Sequence, residues 1–274
     1  ELDYVVRDGI SPDGTLEILR AYGSRLRWIS QADTGQSAAI NAGWSEARGE
    51  ILAYLNSDDL YAAGALRLVG EFFAQHPQVD LLYGDCDFIN ANGQVTGAYP
   101  ARAYNYLSLV RDARDFIPQP AVFFRRRLWE RLGGLDENLH YVMDYDYWLR
   151  AGIYFNAQYL PQKFAALRLH GGAKSIASIK GFGVELARVY DRLFEQPDLP
   201  AEVKAARSTA MANVYAYAAD TSFWAGDFGA ARRFAAQAWR RQPWRLRGSW
   251  LWMLLGRAGR NLAERLYGNP YLPK

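Results

Sequence analysis

Ile51-Leu52-Ala53-Tyr54-Leu55-Asn56-Ser57-Asp58-Asp59 is the stretch on which the reading of the fold turns. Five apolar residues run without a break, with Gly49 before them and polar residues after. A run of strand length without alternation suits a strand buried on both faces, as in a parallel sheet. Two acids then stand side by side where such a strand would end. In open α/β sheets ligands bind beyond the carboxyl ends of the strands. Adjacent carboxylates repel, so a cation or hydrogen-bond donors must balance them. A divalent ion with oxygen ligands, Mg²⁺ or Mn²⁺, meets that need, with substrate phosphates completing its shell. The structural alternative is an Asx-rich cap for the helix that follows.

Working outward, strands and helices alternate. Tyr4-Val5-Val6 reads as a strand end, followed by the turn-rich Gly9-Ile10-Ser11-Pro12-Asp13-Gly14. Thr15 is placed to cap a helix over 16–22. A strand is expected over 26–30, helices over 35–46 and 63–75, the latter ended by His76-Pro77, and a strand over 79–83. Residues 87–100 read as a hairpin about Asn92-Gly93. A strand over 121–124 leads into a helix over 125–132 closed by Gly133-Gly134, and another helix covers 144–151. This order predicts an α/β layer architecture. From about Lys180 the pattern turns helical, over 182–194, 201–225, 228–241 and 246–267, punctuated by Pro197, Pro200 and Pro243. The division expected is an α/β domain over 1–180 and a helical region over 181–274. Gly226-Asp227-Phe228 through Pro243 resembles half of a tetratricopeptide repeat; a solenoid needs about three repeats, so a packed helical appendix is expected.

Half of the 274 residues are hydrophobic and 22% are charged, enough to build a core and too apolar for a disordered chain. The single cysteine, Cys86, excludes an internal disulfide framework. No run approaches the roughly 20 apolar residues that span a bilayer. The chain opens on Glu1-Leu2-Asp3-Tyr4 with no initiator Met and no secretory signal, and reads as a processed or fragmentary cytoplasmic protein. The formal charge of +3 conceals a division. Residues 203–274 hold twelve Lys/Arg against three Asp/Glu, a net of +9, while the preceding 202 residues carry −6. Five of the nine Trp lie in that basic tail: Trp224, Trp239, Trp244, Trp250 and Trp252. Trp in a helical core under a solvated basic face is one reading; peripheral contact with an anionic membrane at its inner face is the other. No groove-reading motif is present, so no nucleic acid partner is expected.

Further acids sit at the ends of α/β units: Asp8 after the first strand, and Asp144 and Asp146 opening a helix behind Gly133-Gly134-Leu135-Asp136. Each alone reads as a cap. Together they could converge on one sheet edge.

Four segments in order resemble a known family. Asp8-Gly9-Ile10-Ser11-Pro12-Asp13-Gly14-Thr15 is similar to the D-G-G-S-T-D-G-T signature of family-2 inverting glycosyltransferases, which have the GT-A fold. Asp33-Thr34-Gly35-Gln36-Ser37 through Ile40-Asn41 resembles their D-x-G-x-S-x-A-x-N segment. Leu55-Asn56-Ser57-Asp58-Asp59 resembles their D-x-D-type metal motif. Gly133-Gly134-Leu135-Asp136-Glu137 with Asp144-Tyr145-Asp146-Tyr147-Trp148-Leu149-Arg150 resembles their acceptor-side motif. The match covers residues 1 to about 175.

The resemblance implies a GT-A mixed sheet flanked by helices, with a C-terminal helical appendix. It implies that Asp8, Asn41 and Asp58 contact the nucleotide-sugar and that Asp59 binds Mg²⁺ or Mn²⁺ on the donor diphosphate. His170 lies in a late segment that reaches diphosphate or metal. Asp144 matches the acid of an E-D pair, the general base, with Met143 standing where the family has Glu. It further places the family's first strand before residue 1, and the absence of a Q-x-x-R-W motif argues against a processive synthase. The implied reaction moves a sugar from a nucleotide-diphosphate donor to a hydroxyl of a glycan or lipid-linked acceptor, with inversion, in bacterial surface glycan assembly. The rival is a catalytically degenerate module whose basic tail binds a partner or membrane.

Overall fold

The computed structural model describes residues 1–169, 179–243 and 249–267. They fall into two units. The first comprises Glu1–Ile89, Val95–Ala103 and Ile117–Arg168, and the second Asn90–Gln94, Tyr104–Phe116 and Leu169–Lys274.

In the first unit, strand β1 (Val5–Asp8) runs parallel to β2 (Arg27–Ser30), with Asp8 opposite Ser30, and helix α1 (Thr15–Ala21) connects them. Thr15 is the first helical residue and not the cap. Gly14, in the left-handed region at φ 82°, precedes it, and the Asp13 carboxylate accepts from the Thr15 amide and hydroxyl. Helix α2 (Gln36–Glu46) follows.

The main sheet has six strands. Its path runs from β3 (Ile51–Leu52) through Val122–Arg125, Leu81–Ile89 and Ala157–Arg168 to β4 (Leu60–Tyr61). In chain order the remaining strands are β5 (Leu81–Ile89), β6 (Val95–Ala98), β7 (Val122–Arg125) and β8 (Ala157–Arg168), with β6 pairing β5. Only β5 and β8 pair in parallel; the other ladders are antiparallel, so the sheet is mixed.

The Ile51–Leu55 run is shorter as a strand than expected. Only Ile51–Leu52 pair, and they do so antiparallel to Phe124 and Arg125 at one end of the sheet path. Beyond them side chains satisfy the backbone: the Trp44 indole N–H donates to the Ala53 carbonyl at 3.2 Å and the Gln119 amide to that of Tyr54 at 2.9 Å. A ladder is not needed where those acceptors already have donors. The hairpin expected about Asn92-Gly93 is present between β5 and β6.

Helix α3 (Ala65–Gln75) carries Ala65, Val69 and Phe73, four residues apart, on its buried face. They pack with Leu82, Cys86, Phe123, Phe164 and Ala165 of the sheet. Each fully buried Val or Phe contributes about 1.5–3 kcal/mol relative to exposure. The buried Arg125 guanidinium donates to the carbonyls of Phe73 and His76 at the end of α3 and to that of Val79, and pairs with Glu50. A cation there satisfies carbonyls that the last helical turn leaves open. Gly84 is required where β5 meets an irregularity of β8, since a Cβ would stand 2.5 Å from the Gln162 carbonyl oxygen.

The second unit is helical: α4 (Tyr106–Asp112), α7 (Ile179–Leu193), α8 (Ala201–Ala205), α9 (Arg207–Trp224), α10 (Phe228–Arg241), α11 (Ser249–Leu254) and α12 (Gly256–Tyr267), while α5 (Arg126–Leu132) and α6 (Met143–Tyr154) belong to the first unit. The helix expected over 201–225 breaks at Ala206; that over 246–267, of which 246–248 lie outside the described residues, breaks at Leu255, before Gly256 at φ 56°. Helix α9 buries Ala210, Val214, Ala218 and Phe223, and Gly183 lies so close that a Cβ would be 2.5 Å from Ala218 Cα. Helix α10 has the expected bounds because Asp227 caps it, accepting from the Ala230 amide at 2.9 Å.

Candidate active site

The acidic segment begins where the backbone leaves β3. Asp59 is 6% exposed. Its Oδ1 accepts from the Arg168 amide at 2.8 Å and its Oδ2 faces the Asn56 amide nitrogen at 3.4 Å. Burial pushes the Asp59 carboxyl up to about 6, against those two donors and with the neighbouring Asp58 adding to the rise. Asp58 is half-buried and its carbonyl accepts from Arg168 Nε at 2.8 Å. The last residue of β8 therefore holds both acids by their backbone and side chain.

Asn56 is the hub of this turn. Its Oδ1 accepts from Gln36 Nε2 at 2.7 Å, and its Nδ2 also donates to Gln119 Oε1 at 3.2 Å. Gln36 is the first residue of α2. The next residue, buried Ser37, places its hydroxyl 2.9 Å from Met143 Sδ and 3.4 Å from the Leu139 carbonyl. Met143 opens α6 directly before Asp144. The first turn of α2 is thus bonded on one side to the Asp59 turn and on the other to the start of the Asp144 helix.

Asn41, one turn on, extends the second contact. It accepts from the Leu135 amide at 2.8 Å and donates to the Leu135 carbonyl and to Glu137 Oε1, at 3.0 and 3.1 Å. At Gly134 a Cβ would fall 2.3 Å from the Asn41 side chain, which only glycine avoids. Thr34 reaches Glu137 at 3.3 Å. The Gly133-Gly134-Leu135-Asp136 segment is therefore pinned to α2 before it delivers α6. Arg150 completes the arrangement, pairing with Asp146 at 2.8 Å and donating to the carbonyls of Leu132 and Gly134.

Asp144 lies in the first turn of α6, and its Oδ1 accepts from the Tyr145 amide at 2.7 Å. Burial pushes its carboxyl above the usual carboxylate range. A carboxylate so raised is a stronger base than one in water.

Asp8 closes β1 at 7% exposure and is bound within its own turn. It accepts from Ser30 Oγ at 2.6 Å, from the Ser11 amide at 3.2 Å and from the Ile10 amide at 3.2 Å. Ser11 foremost, then Ser30, hold its carboxyl below the ordinary range. Ile10 adopts φ 63°, a strained conformation for a β-branched residue. Asp33 faces this turn: a Cβ on Gly9 would meet its carboxylate at 2.9 Å. His170 lies outside the described residues. Among the described residues, no three His, Cys, Asp or Glu side chains cluster as a metal site of their own.

The structure ties the Asp58-Asp59 turn and the start of the Asp144 helix to α2, which itself carries Asn41. Gln36, Gln119, Ser37 and Arg168 are additions that the acid-based reading missed. Gln36 and Ser37 fall inside one of the segments that resemble the family. Gln119, following Pro118, carries no sequence signal of its role.

A mixed sheet flanked by helices is the GT-A architecture. The S. aureus TarS 1–349 structure in complex with UDP-GlcNAc superposes with a TM-score of 0.64 at 18% identity, over 97% of this chain and 81% of that one. The Pyrobaculum calidifontis mannosyltransferase in complex with GDP-Man and Mn²⁺ superposes with a TM-score of 0.57 at 19% identity, over 97% and 72%. Residues 1–132, just under half of the chain, match the model of glycosyl transferase family 2. Chondroitin synthase of Pasteurella multocida is 28% identical over 180 residues, 64% of this chain and 18% of that protein. The O-antigen biosynthesis protein RfbC of Myxococcus xanthus is 29% identical over 130 residues, 46% of this chain and 10% of that protein. The chain thus spans less than a fifth of the length of these relatives.

Proposed function

We propose that the chain is the catalytic part of an inverting glycosyltransferase that moves a sugar from a nucleoside-diphosphate donor to a hydroxyl of a glycan or lipid-linked acceptor. The observation that carries this reading is the double anchorage of α2's first turn, to the Asp59 turn through Gln36 and Asn56 and to the Asp144 helix through Ser37 and Met143. One helix end thereby holds a donor-side acid and a candidate base in fixed relation.

The donor side is read from Asp59. A carboxylate this dry, beside a second acid, favours a divalent cation as its counter-charge, and an all-oxygen donor set suits Mg²⁺ or Mn²⁺. Asp59 would hold the ion, with His170 as the second side chain assigned to it. An ion there would neutralise charge on the departing nucleoside diphosphate. Asp58 and Asp8 are assigned to the nucleotide-sugar, and Asn41 acts through the Leu135 loop that it closes. On the acceptor side, Asp144 takes the proton from the attacking hydroxyl, a contribution of roughly 10²–10⁴ in rate. A single displacement with one base inverts the anomeric centre.

The relatives support the setting: a chondroitin synthase, a hyaluronan synthase of Pasteurella multocida and an O-antigen biosynthesis protein all build bacterial glycans. The UDP-GlcNAc and GDP-Man held by the structural neighbours set the first donors to try. Among the described residues no helix is long and apolar enough to cross a membrane.

The test is a panel of UDP- and GDP-sugars with and without Mn²⁺, following sugar release and the anomer of the product by proton NMR. The reading expects Mn²⁺-dependent turnover of at least one donor to the inverted anomer. A retained anomer would refute the single displacement. No turnover of any donor, with nucleotide binding intact, would favour the degenerate module.

A further inference from the structure

Helix α10 (Phe228–Arg241) presents two different faces. Inward, Ala230, Ala231 and Ala238 are buried, Phe234 stacks on Tyr215 with ring centroids 6.1 Å apart, and the Arg241 guanidinium lies 4.7 Å from the Tyr215 ring. Outward, Arg232, Arg233, Ala236, Trp239 and Arg240 are exposed, Trp239 at 49%. Residues 232, 236 and 239 follow one another at helical spacings of four and three, and 233 and 240 lie seven apart beside them, so all five share one side of the helix. The helix contains no acidic residue. Arg232, Arg233 and Arg240 join none of the ion pairs among the described residues.

We propose that this face is a docking surface for an anionic phospholipid bilayer, with Trp239 at headgroup depth and the three arginines on lipid phosphates. Charge complementarity selects the partner: three uncompensated cations surround one large amphipathic ring, the composition of interfacial helices. Trp is favoured at the membrane–water boundary, where its ring is half apolar and its N–H remains wet. The structure narrows the expectation drawn from five tail Trp. Trp250 is 7% exposed, Trp224 and Trp252 are half-buried, and Trp244 lies outside the described residues. Charge and exposed ring coincide on α10. The proposal stands apart from the transferase reading, because binding to vesicles requires no donor.

Co-sedimentation of the full chain with vesicles of phosphatidylcholine, alone or with 30% phosphatidylglycerol, tests it. The chain is expected to sediment only with the anionic vesicles. The triple variant Arg232→Gln, Arg233→Gln, Arg240→Gln should lose roughly a hundredfold in partitioning, since each cation near an anionic surface contributes about tenfold or less. Salt at 1 M, where screening acts beyond about 3 Å, should remove most of the wild-type binding, and Trp239→Ala should remove the remainder. A control, Arg20→Gln with Arg67→Gln, alters exposed arginines of the first unit and should change nothing. Failure to bind anionic vesicles, an unchanged triple variant, or an equal loss in the control would overturn the proposal. So would binding to heparin that is indifferent to Trp239 and unaccompanied by vesicle binding.

Discussion

At Asp59 two forces oppose each other. Burial penalises the ionised carboxylate, while the Arg168 amide and the Asn56 side chain favour it. Replacing it by Ala removes a buried charge whose desolvation costs stability, so Asp59→Ala should melt no lower than the wild type. The same variant should lose Mn²⁺-dependent affinity for a nucleoside diphosphate, measured by calorimetry; unchanged affinity would remove Asp59 from the donor site. Asp144 is raised by burial, and a general base works in its ionised form. Activity should therefore be full above the raised value and fall as pH drops through it, with the acid limb above the range of an ordinary carboxylate near 4. A rate profile flat down to pH 4 would contradict that. The acids were legible in the sequence because paired carboxylates after a strand are costly without a purpose. The amides that hold them were not. Gln36 and Gln119 gain their roles through contacts 20 to 65 residues away in the chain.

Helix α2 is the element on which the proposed site depends. Gln36, Ser37, Asn41 and Trp44 all bond to segments that bear or deliver site residues. Gln36→Leu would leave the Asn56 side-chain Oδ1 without its Gln36 donor, a loss of about 1 kcal/mol in stability. Turnover should fall by about tenfold with it, read as a lower kcat at unchanged nucleotide affinity; an unaffected kcat would make α2 a packing element alone. Trp44, in edge contact with Phe124 at 5.1 Å and bonded to Ala53, carries the packing. Trp44→Ala should cost about 3–5 kcal/mol by denaturant unfolding. The helix itself was legible from its small apolar residues. Strand β8 was not, because Gln158, Pro161, Gln162 and Lys163 give it a polar, interrupted pattern. It forms because β5 pairs along one side and β4 along the other, an override of local preference by neighbours. For the same reason the Ile51–Leu55 run ends early: Trp44 and Gln119 supply donors that a strand partner would otherwise provide.

For the molecule as a whole, the order of four motifs was a better guide than any one of them. It pointed to the family whose model residues 1–132 match, whereas the lengths of individual strands depended on tertiary partners. The chain's helical unit also takes in Tyr104–Phe116, a segment with no composition that marks it off from its surroundings. The family model ends at Leu132, so the assignment of Asp144 rests on the geometry around α2. That assignment is the central claim, and sugar release from a Mn²⁺-loaded donor by the wild type and Asp144→Asn, compared side by side, tests it most directly. Asn keeps the shape and the Tyr145 amide contact but cannot take a proton. The account predicts unchanged donor affinity and a rate lowered by about 10²-fold or more. A variant that keeps more than about a tenth of the wild-type rate would contradict it.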